Sequence, residues 1–174
     1  IIALLEDSYI NLDDTVDTED GEVYYYDQKL SDVKPGGYGK ISVREAFIHS
    51  SNVGISKIIT RNYRNRPNQF IDRLYSMNLD EKLDLEIKGE GTPLIKYPGD
   101  KYWSGISLPM MSIGYEVKLT PLQILTFYNA IANDGKMVKP MFVKQIQEHG
   151  RIIKSFDTQV INPSICSKST INKA

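Results

Sequence analysis

In the run Ser50-Ser51-Asn52-Val53-Gly54 a hydroxyl and a carboxamide stand two residues apart, between the apolar residues Val43, Ala46, Phe47 and Ile48 on one side and Ile55, Ile58 and Ile59 on the other. Both flanking stripes have helical spacing, so the polar residues fall at a junction between two helices. At such a junction a hydroxyl and a carboxamide can be aimed into one cleft. The hydroxyl can pass a proton between a lysine base and a leaving amine, and the carboxamide can donate to a substrate carbonyl while accepting from the base. Serine and asparagine are also favoured helix caps, so spacing alone leaves a structural cap and a catalytic relay both open.

Other chemistries have less to work with. Cys166 is the only cysteine, which excludes an internal disulfide and a cysteine metal site. His49 and His149 are the only histidines and stand far apart, so a histidine-centred triad or metal cluster is not expected and no cofactor is implied. Ser31-Asp32-Val33-Lys34 satisfies a Ser-x-x-Lys pattern but runs into Pro35-Gly36-Gly37. A serine activated by that lysine needs both side chains one turn apart on a helix, and this segment reads as a loop. The 21 basic and 22 acidic residues are spread along the chain for a net charge of −1, which gives no footprint for a nucleic acid. The densest basic run, Arg61 to Arg66, reads as a solvated helix end.

The elements that must hold the polar junction can be followed along the chain. With 174 residues, 41% hydrophobic and 25% charged, the sequence has the composition of one soluble globular domain or a large piece of one. Ile1 to Asp7 is helix-like, Thr15–Thr18 and Val23–Tyr26 are expected to pair across Glu19-Asp20-Gly21, and residues 34–39 form a loop. Ser42-Val-Arg-Glu45 is a capping box that starts the helix leading into the junction. Pro67 opens another helix, with Phe70, Ile71, Leu74 and Met77 on its buried face. Residues 79–107, rich in glycine and proline, form an extended excursion. Thr120-Pro-Leu-Gln123 is a second capping box, opening a helix to about Asn133 whose large apolar residues all round predict a largely buried strut. Lys136–Gln147 and Ile152–Phe156 predict a hairpin across Glu148-His149-Gly150. No run approaches the ~20 apolar residues of a membrane span. The opening IIALLED and the closing STINKA read as helices cut through, so the chain is expected to belong to something longer.

Two long segments carry a resemblance. VREAFIHSSNVGISK, Val43 to Lys57, resembles the region around the second motif of septal class B penicillin-binding proteins. MSIGYEVKLTPLQILTFYNAIANDGKMVKPMFV, Met111 to Val143, is similar to the stretch of that family in which a Ser-Ile-Gly-Tyr strand precedes a Thr-Pro-Leu-Gln helix and an Asn-Asp-Gly-Lys turn. The two lie in the family's order, and IIALLED is similar to the helix that follows its nucleophile. Septal rather than elongation-type identity rests on Ser-Ser-Asn-Val-Gly and Ile-Gly-Tyr.

The resemblance implies an α+β fold: the helix-rich central part of a penicillin-binding-protein or serine β-lactamase-like transpeptidase domain, with β-hairpins and most of the central antiparallel sheet missing. Residues 1–174 would then be a partial transpeptidase domain, with the Ser-x-x-Lys nucleophile and base before Ile1 and the Lys-Thr-Gly strand beyond Ala174. It implies Ser50 as the relay hydroxyl, Asn52 as the substrate-positioning carboxamide, and Ser51 as support for the turn and a neighbouring substrate contact. Peptidoglycan stem peptides, β-lactams and cell-division proteins would be the partners, at the periplasmic face of the cytoplasmic membrane, with an N-terminal transmembrane anchor outside these residues. No metal or other cofactor is implied, and the 174 residues alone are expected to be inactive. A non-catalytic module for β-lactam sensing or division-protein docking is the alternative, and a helical interaction domain with a chance match is the third.

Overall fold

A computed structural model describes all residues 1–174. In chain order, α1 (Ile2–Glu6) leads into four short strands, β1 (Thr15–Asp17), β2 (Glu22–Tyr25), β3 (Gln28–Ser31) and β4 (Lys40–Ser42), then the helices α2 (Val43–Ile48), α3 (Asn52–Tyr63) and α4 (Pro67–Ser76). A mostly irregular stretch holding β5 (Leu94–Ile95) reaches α5 (Ser107–Ser112), β6 (Val117–Lys118) and α6 (Pro121–Ala132). The chain closes with β7 (Met137–Val138), β8 (Gln145–Glu148), β9 (Arg151–Ser155), β10 (Val160–Asn162) and α7 (Lys168–Ile171). Helices and antiparallel strand pairs are thus combined in an α+β architecture in which no sheet is wider than two strands.

Helix starts follow local side-chain chemistry. Ser42 accepts from the Glu45 amide at 3.1 Å while the Glu45 carboxylate accepts from the Ser42 amide at 2.8 Å, closing the expected capping box on α2. Thr120 and Gln123 do the same for α6, with Pro121 in the first turn. Pro67 opens α4. Each device removes orphan amides that would otherwise cost about 1 kcal/mol apiece.

Strand pairing departs from the hairpin expected around Glu19-Asp20-Gly21. That turn forms, with the Gly21 amide donating to Thr18 O at 2.8 Å, but it joins strands of different pairs. β1 pairs with the more distant β4, and β2 turns back at Tyr26-Asp27 to pair with β3. The Ser112-Ile113-Gly114-Tyr115 segment is not a strand: the apolar run before it closes as α5, and the peptide turns at Gly114 before β6. The last hairpin turns where expected, with His149 and Gly150 both in the left-handed region that a two-residue turn demands, but Lys136–Gln147 is not one strand: β7 pairs with β10, and only β8 pairs with β9.

The main core is built by Leu4, Leu5, Ala46, Ile58, Ile59, Tyr63, Phe70 and Ile71, joining α1 to α2, α3 and α4. A smaller cluster gathers Met77, Ala130, Met137, Ile165, Cys166 and Ile171. Beside the main core the Tyr63 hydroxyl donates to Asp7 Oδ2 at 2.6 Å, and Arg73 pairs with the other oxygen of the same almost fully buried carboxylate. Glu6 reaches α7, accepting from the Ser167 amide at 3.0 Å, its hydroxyl at 2.8 Å and the Thr170 hydroxyl at 2.6 Å. Burial pushes the Glu6 carboxyl upward, but the hydrogen bonds from Thr170 and Ser167 outweigh it and hold the carboxyl below its ordinary value.

α6 is not the buried strut that its composition predicts. Gln123, Thr126 and Ala130 face inward, while Ile124, Leu125 and Tyr128 are 44%, 62% and 57% exposed. The helix packs along one side only, and its opposite apolar side lines an open groove of about 660 Å³ shared with Phe47 and Ile48 of α2.

Candidate functional site

α2 and α3 meet at three residues, and each has a separate task. The Ser50 amide donates to Phe47 O at 3.0 Å and the Ser51 amide to Ala46 O at 2.9 Å, the paired bonds of a Schellman helix ending. The residue between the capping His49 and Ser51 must then take a left-handed backbone, and Ser50 does so with φ +51°. Glycine is the usual occupant of that position because it has no Cβ to clash. A serine there stores backbone strain of order 1–3 kcal/mol, the kind of local cost that gathers at functional sites. The Ser50 side chain is exposed and its hydroxyl has no hydrogen-bond partner within the protein.

Ser51 turns the other way. It is only 1% exposed, and as the N-cap of α3 its hydroxyl accepts from the Gly54 amide at 2.9 Å. Its proton goes to Asp32, whose two carboxylate oxygens both lie 3.0 Å away. An enclosed hydroxyl with its donor and an acceptor lone pair committed cannot reach a substrate, so of the two tasks expected of Ser51 the geometry leaves support of the turn and removes direct substrate contact. Gly54 belongs to the same packing. A Cβ built there would lie 2.9 Å from Ser51 Oγ and 3.1 Å from Ala46 Cβ, so the crossing of α2 and α3 requires a residue without one.

Asn52 opens α3 half-exposed, and its Nδ2 donates to Ser31 O at 3.0 Å. That bond fixes the rotation of the amide, leaving Oδ1 and the second N–H for a visitor. Ser50 and Asn52 therefore sit on either side of the buried Ser51, both reachable from solvent. Asn52 is itself the first residue of the twelve-residue α3, whose positive dipole end favours developing negative charge nearby.

Ser31 and Asp32 arrive at this junction although neither belongs to it in sequence. Ser31 ends β3, so the Ser-x-x-Lys match lies on a strand end and turn, not a helix, and Lys34 extends over the Tyr38 ring, 5.1 Å from its centroid. Asp32 is a neighbour of the junction that local sequence reasoning missed. It takes the Val53 amide at 2.9 Å besides the Ser51 hydroxyl, from 19 residues upstream of Ser51. Only the strand-to-loop connection reveals it. The loop is itself clamped: Thr18 is fully buried and accepts from the Tyr38 amide at 2.8 Å, Gly21 and Gly37 cross too closely for side chains, and the rings of Tyr38 and His49 stack at 4.8 Å.

No group of histidine, cysteine and carboxylate side chains is placed to hold a metal ion. Cys166 is buried, which pushes its thiol up to about 11 and leaves it unreactive at neutral pH. No helix is long and apolar enough to cross a membrane.

The family described as penicillin binding protein transpeptidase domain matches residues 1–174. Penicillin-binding protein PbpB of Mycolicibacterium smegmatis is 30% identical over 119 residues, 61% of this chain and 18% of that protein. Peptidoglycan D,D-transpeptidase FtsI of Escherichia coli is 29% identical over 110 residues, 63% of this chain and 18% of that protein. The matches thus span about a fifth of the curated relatives. Among solved structures, penicillin binding protein 3 of Mycobacterium tuberculosis in complex with aztreonam superposes with a TM-score of 0.76 at 24% identity, covering 99% of this chain and 37% of that one. A peptidoglycan glycosyltransferase from Burkholderia ambifaria gives 0.77 at 21% identity, over 99% of this chain and 49% of that one.

Proposed function

The chain belongs to the penicillin-binding protein transpeptidase domain family, and from that premise we propose that it is the part of a septal peptidoglycan D,D-transpeptidase that carries the proton relay. A nucleophilic serine and its lysine, and a Lys-Thr-Gly strand, are supplied from outside these 174 residues. The serine Oγ bonds to the penultimate D-alanyl carbonyl of a stem peptide, the peptide C–N bond breaks, and Ser50 hands the departing D-alanine nitrogen its proton. An amine of a neighbouring stem then attacks the ester, forming the cross-link and returning the proton to the serine. Asn52 holds the substrate amide and accepts from the lysine, and Ser51 maintains the turn between them.

The single observation carrying this reading is the left-handed, exposed Ser50 hydroxyl, two residues from the fixed carboxamide of Asn52, at the amino end of α3. A cap alone would not need a strained serine there. β-Lactams acylate the nucleophilic serine supplied from outside these residues, division proteins are partners, and the protein works on the outer face of the cytoplasmic membrane, anchored by a segment outside these residues.

The test uses a fluorescent penicillin. The full-length protein should label covalently, and the 174-residue chain, which has no nucleophile of the required kind, should not. Absence of label on the full-length protein would favour a docking or sensing module, and label on the isolated chain would contradict the placement of the nucleophile.

A further inference from the structure

Residues 139–160 leave the body of the fold as a two-stranded ribbon. β7 pairs with β10 at its base, the Lys139 amide donates to Gln159 O at 2.9 Å and the Phe156 amide to Lys144 O at 3.0 Å, and β8 and β9 carry the ladder outward. Every residue from Met141 to Ser155 is exposed, and none belongs to either core cluster. We propose that the free edge of β9 is a docking site for an extended acidic segment of another protein, which adds to the ribbon as a third strand.

Backbone and side chains both point to that edge. A two-stranded hairpin alone is at best marginally stable in water, yet Ile146, Ile152 and Ile153 of this one are 49%, 58% and 60% exposed. They do not gather on one side: Ile152 stands opposite Gln147, while Ile146 stands opposite Lys154 on the other face. A lipid surface is met by apolar residues on a single face, whereas a strand laid along the edge meets both faces at once. Because β8 and β9 form a sheet of two, the outer edge of β9 has no partner. Glu148 and Arg151 pair directly across the two-residue turn, so the alternation of an antiparallel ladder turns the Ile152 N–H and C=O outward to that edge.

Charge selects the occupant. Residues 139–160 carry Lys139, Lys144, Arg151 and Lys154 against Glu148 and Asp157, in a chain whose net charge is −1. On β9 the charged residues are Arg151 and Lys154, and neither takes part in any of the chain's ion pairs. Arg151 opposes Glu148 and Lys154 opposes Ile146, two residues apart on β8, so both cations share one face. They disfavour a second copy. Antiparallel pairing of two β9 edges about Ile152 and Ile153 would set each Arg151 against the other chain's Lys154, and like charges directly opposite destabilise a sheet. Lysine and an irregular register are also common means of blunting an edge; here they repel the chain's own kind and remain complementary to a strand bearing carboxylates. Since side chains alternate between faces, such a strand sets its carboxylates beside Arg151 and Lys154 and its apolar residues beside Ile152.

The experiment titrates the full-length protein with a fluorescent synthetic peptide in which glutamate and valine alternate, and with a lysine–valine counterpart. Binding is read by anisotropy and by hydrogen exchange over β9. The glutamate peptide should bind saturably, weaken as salt is raised and slow exchange along β9, while the lysine peptide should not bind. Arg151→Glu combined with Lys154→Glu should weaken the glutamate peptide by on the order of tenfold. Ile152→Pro keeps both cations and removes the outward N–H without breaking the bonds to β8, so it should abolish the exchange protection and weaken binding by a similar factor. Both variants should take up fluorescent penicillin at the parent rate, which shows that they fold, and either carries the test if the other does not. Equal binding of the two peptides, binding indifferent to Ile152→Pro, or no saturable binding would overturn the proposal. So would protection of β9 that appears instead with phosphatidylglycerol vesicles, or with rising protein concentration alone, since the edge would then serve lipid or a second copy.

Discussion

Replacing Ser50 with glycine should make the protein more stable and less active at once. The backbone there has φ +51°, a region that costs an L-residue roughly 1–2 kcal/mol and glycine almost nothing. Against this, glycine loses more conformational freedom on folding, about 0.4–1 kcal/mol. The exposed hydroxyl contributes no internal hydrogen bond, so its removal adds little, within about 0.5 kcal/mol. The net gain for Ser50→Gly is therefore about 0.5–1 kcal/mol, which for a protein of this size raises the thermal midpoint by about 1–4 °C. Ser50→Ala keeps the strain and should leave the midpoint within about 2 °C of the parent. Thermal unfolding followed by circular dichroism distinguishes the three, and penicillin labelling of the same preparations should show both variants slowed. A glycine variant that melts below the parent would refute the claim that strain is stored at this residue.

Gly54→Ala should cost about 1–3 kcal/mol despite alanine's better helix propensity, because the new methyl meets Ser51 Oγ and Ala46 Cβ; chemical denaturation reads the loss, and penicillin labelling should slow with it. Tyr63→Phe removes the 2.6 Å donor of a buried carboxylate and should cost about 1.5–3 kcal/mol by urea unfolding. The Glu6 carboxyl titrates below its ordinary value of 4.5, so its tie to α7 stabilises the fold fully above that value and is lost as the pH falls through the depressed folded value. Glu6→Gln should accordingly be less stable than the parent at neutral pH, with the gap narrowing in acid; a gap that stays constant down to the acid transition would contradict the assignment.

Much of the helical framework was legible because its signals are local. Ser42 with Glu45, Thr120 with Gln123, and Pro67 each mark a helix start within four residues, and the break at Ser50-Ser51-Asn52 declares itself by interrupting an apolar stripe. The strand pairings were not legible, since Glu19-Asp20-Gly21 is a sound turn whether the following strand folds back on β1 or pairs onward with β3. The resemblance implied a strand at Ser112-Ile113-Gly114-Tyr115, but a short apolar segment suits a strand or a buried turn of helix equally, and here the residues leading into it close as α5. Burial of α6 was over-read from composition: apolar residues on every side say what a helix can bury, not what the surrounding structure covers. At the site itself, Ser50 and Asn52 could be named from spacing and resemblance, whereas Asp32 could not. Its partners are 19 and 21 residues away, joined by a hairpin and loop whose path depends on the close crossing of Gly21 and Gly37.

The central claim is that the Ser50 hydroxyl moves a proton during acyl transfer. Its most direct test is the release of D-alanine from a peptide ending in D-alanyl-D-alanine by the full-length protein, with rates divided by the number of penicillin-titratable sites. Loss of a proton-transfer group costs about 10²–10⁴-fold, so Ser50→Ala should release D-alanine at least a hundredfold more slowly per site than the parent. A rate within threefold of the parent, from a variant of unchanged thermal stability, would contradict it.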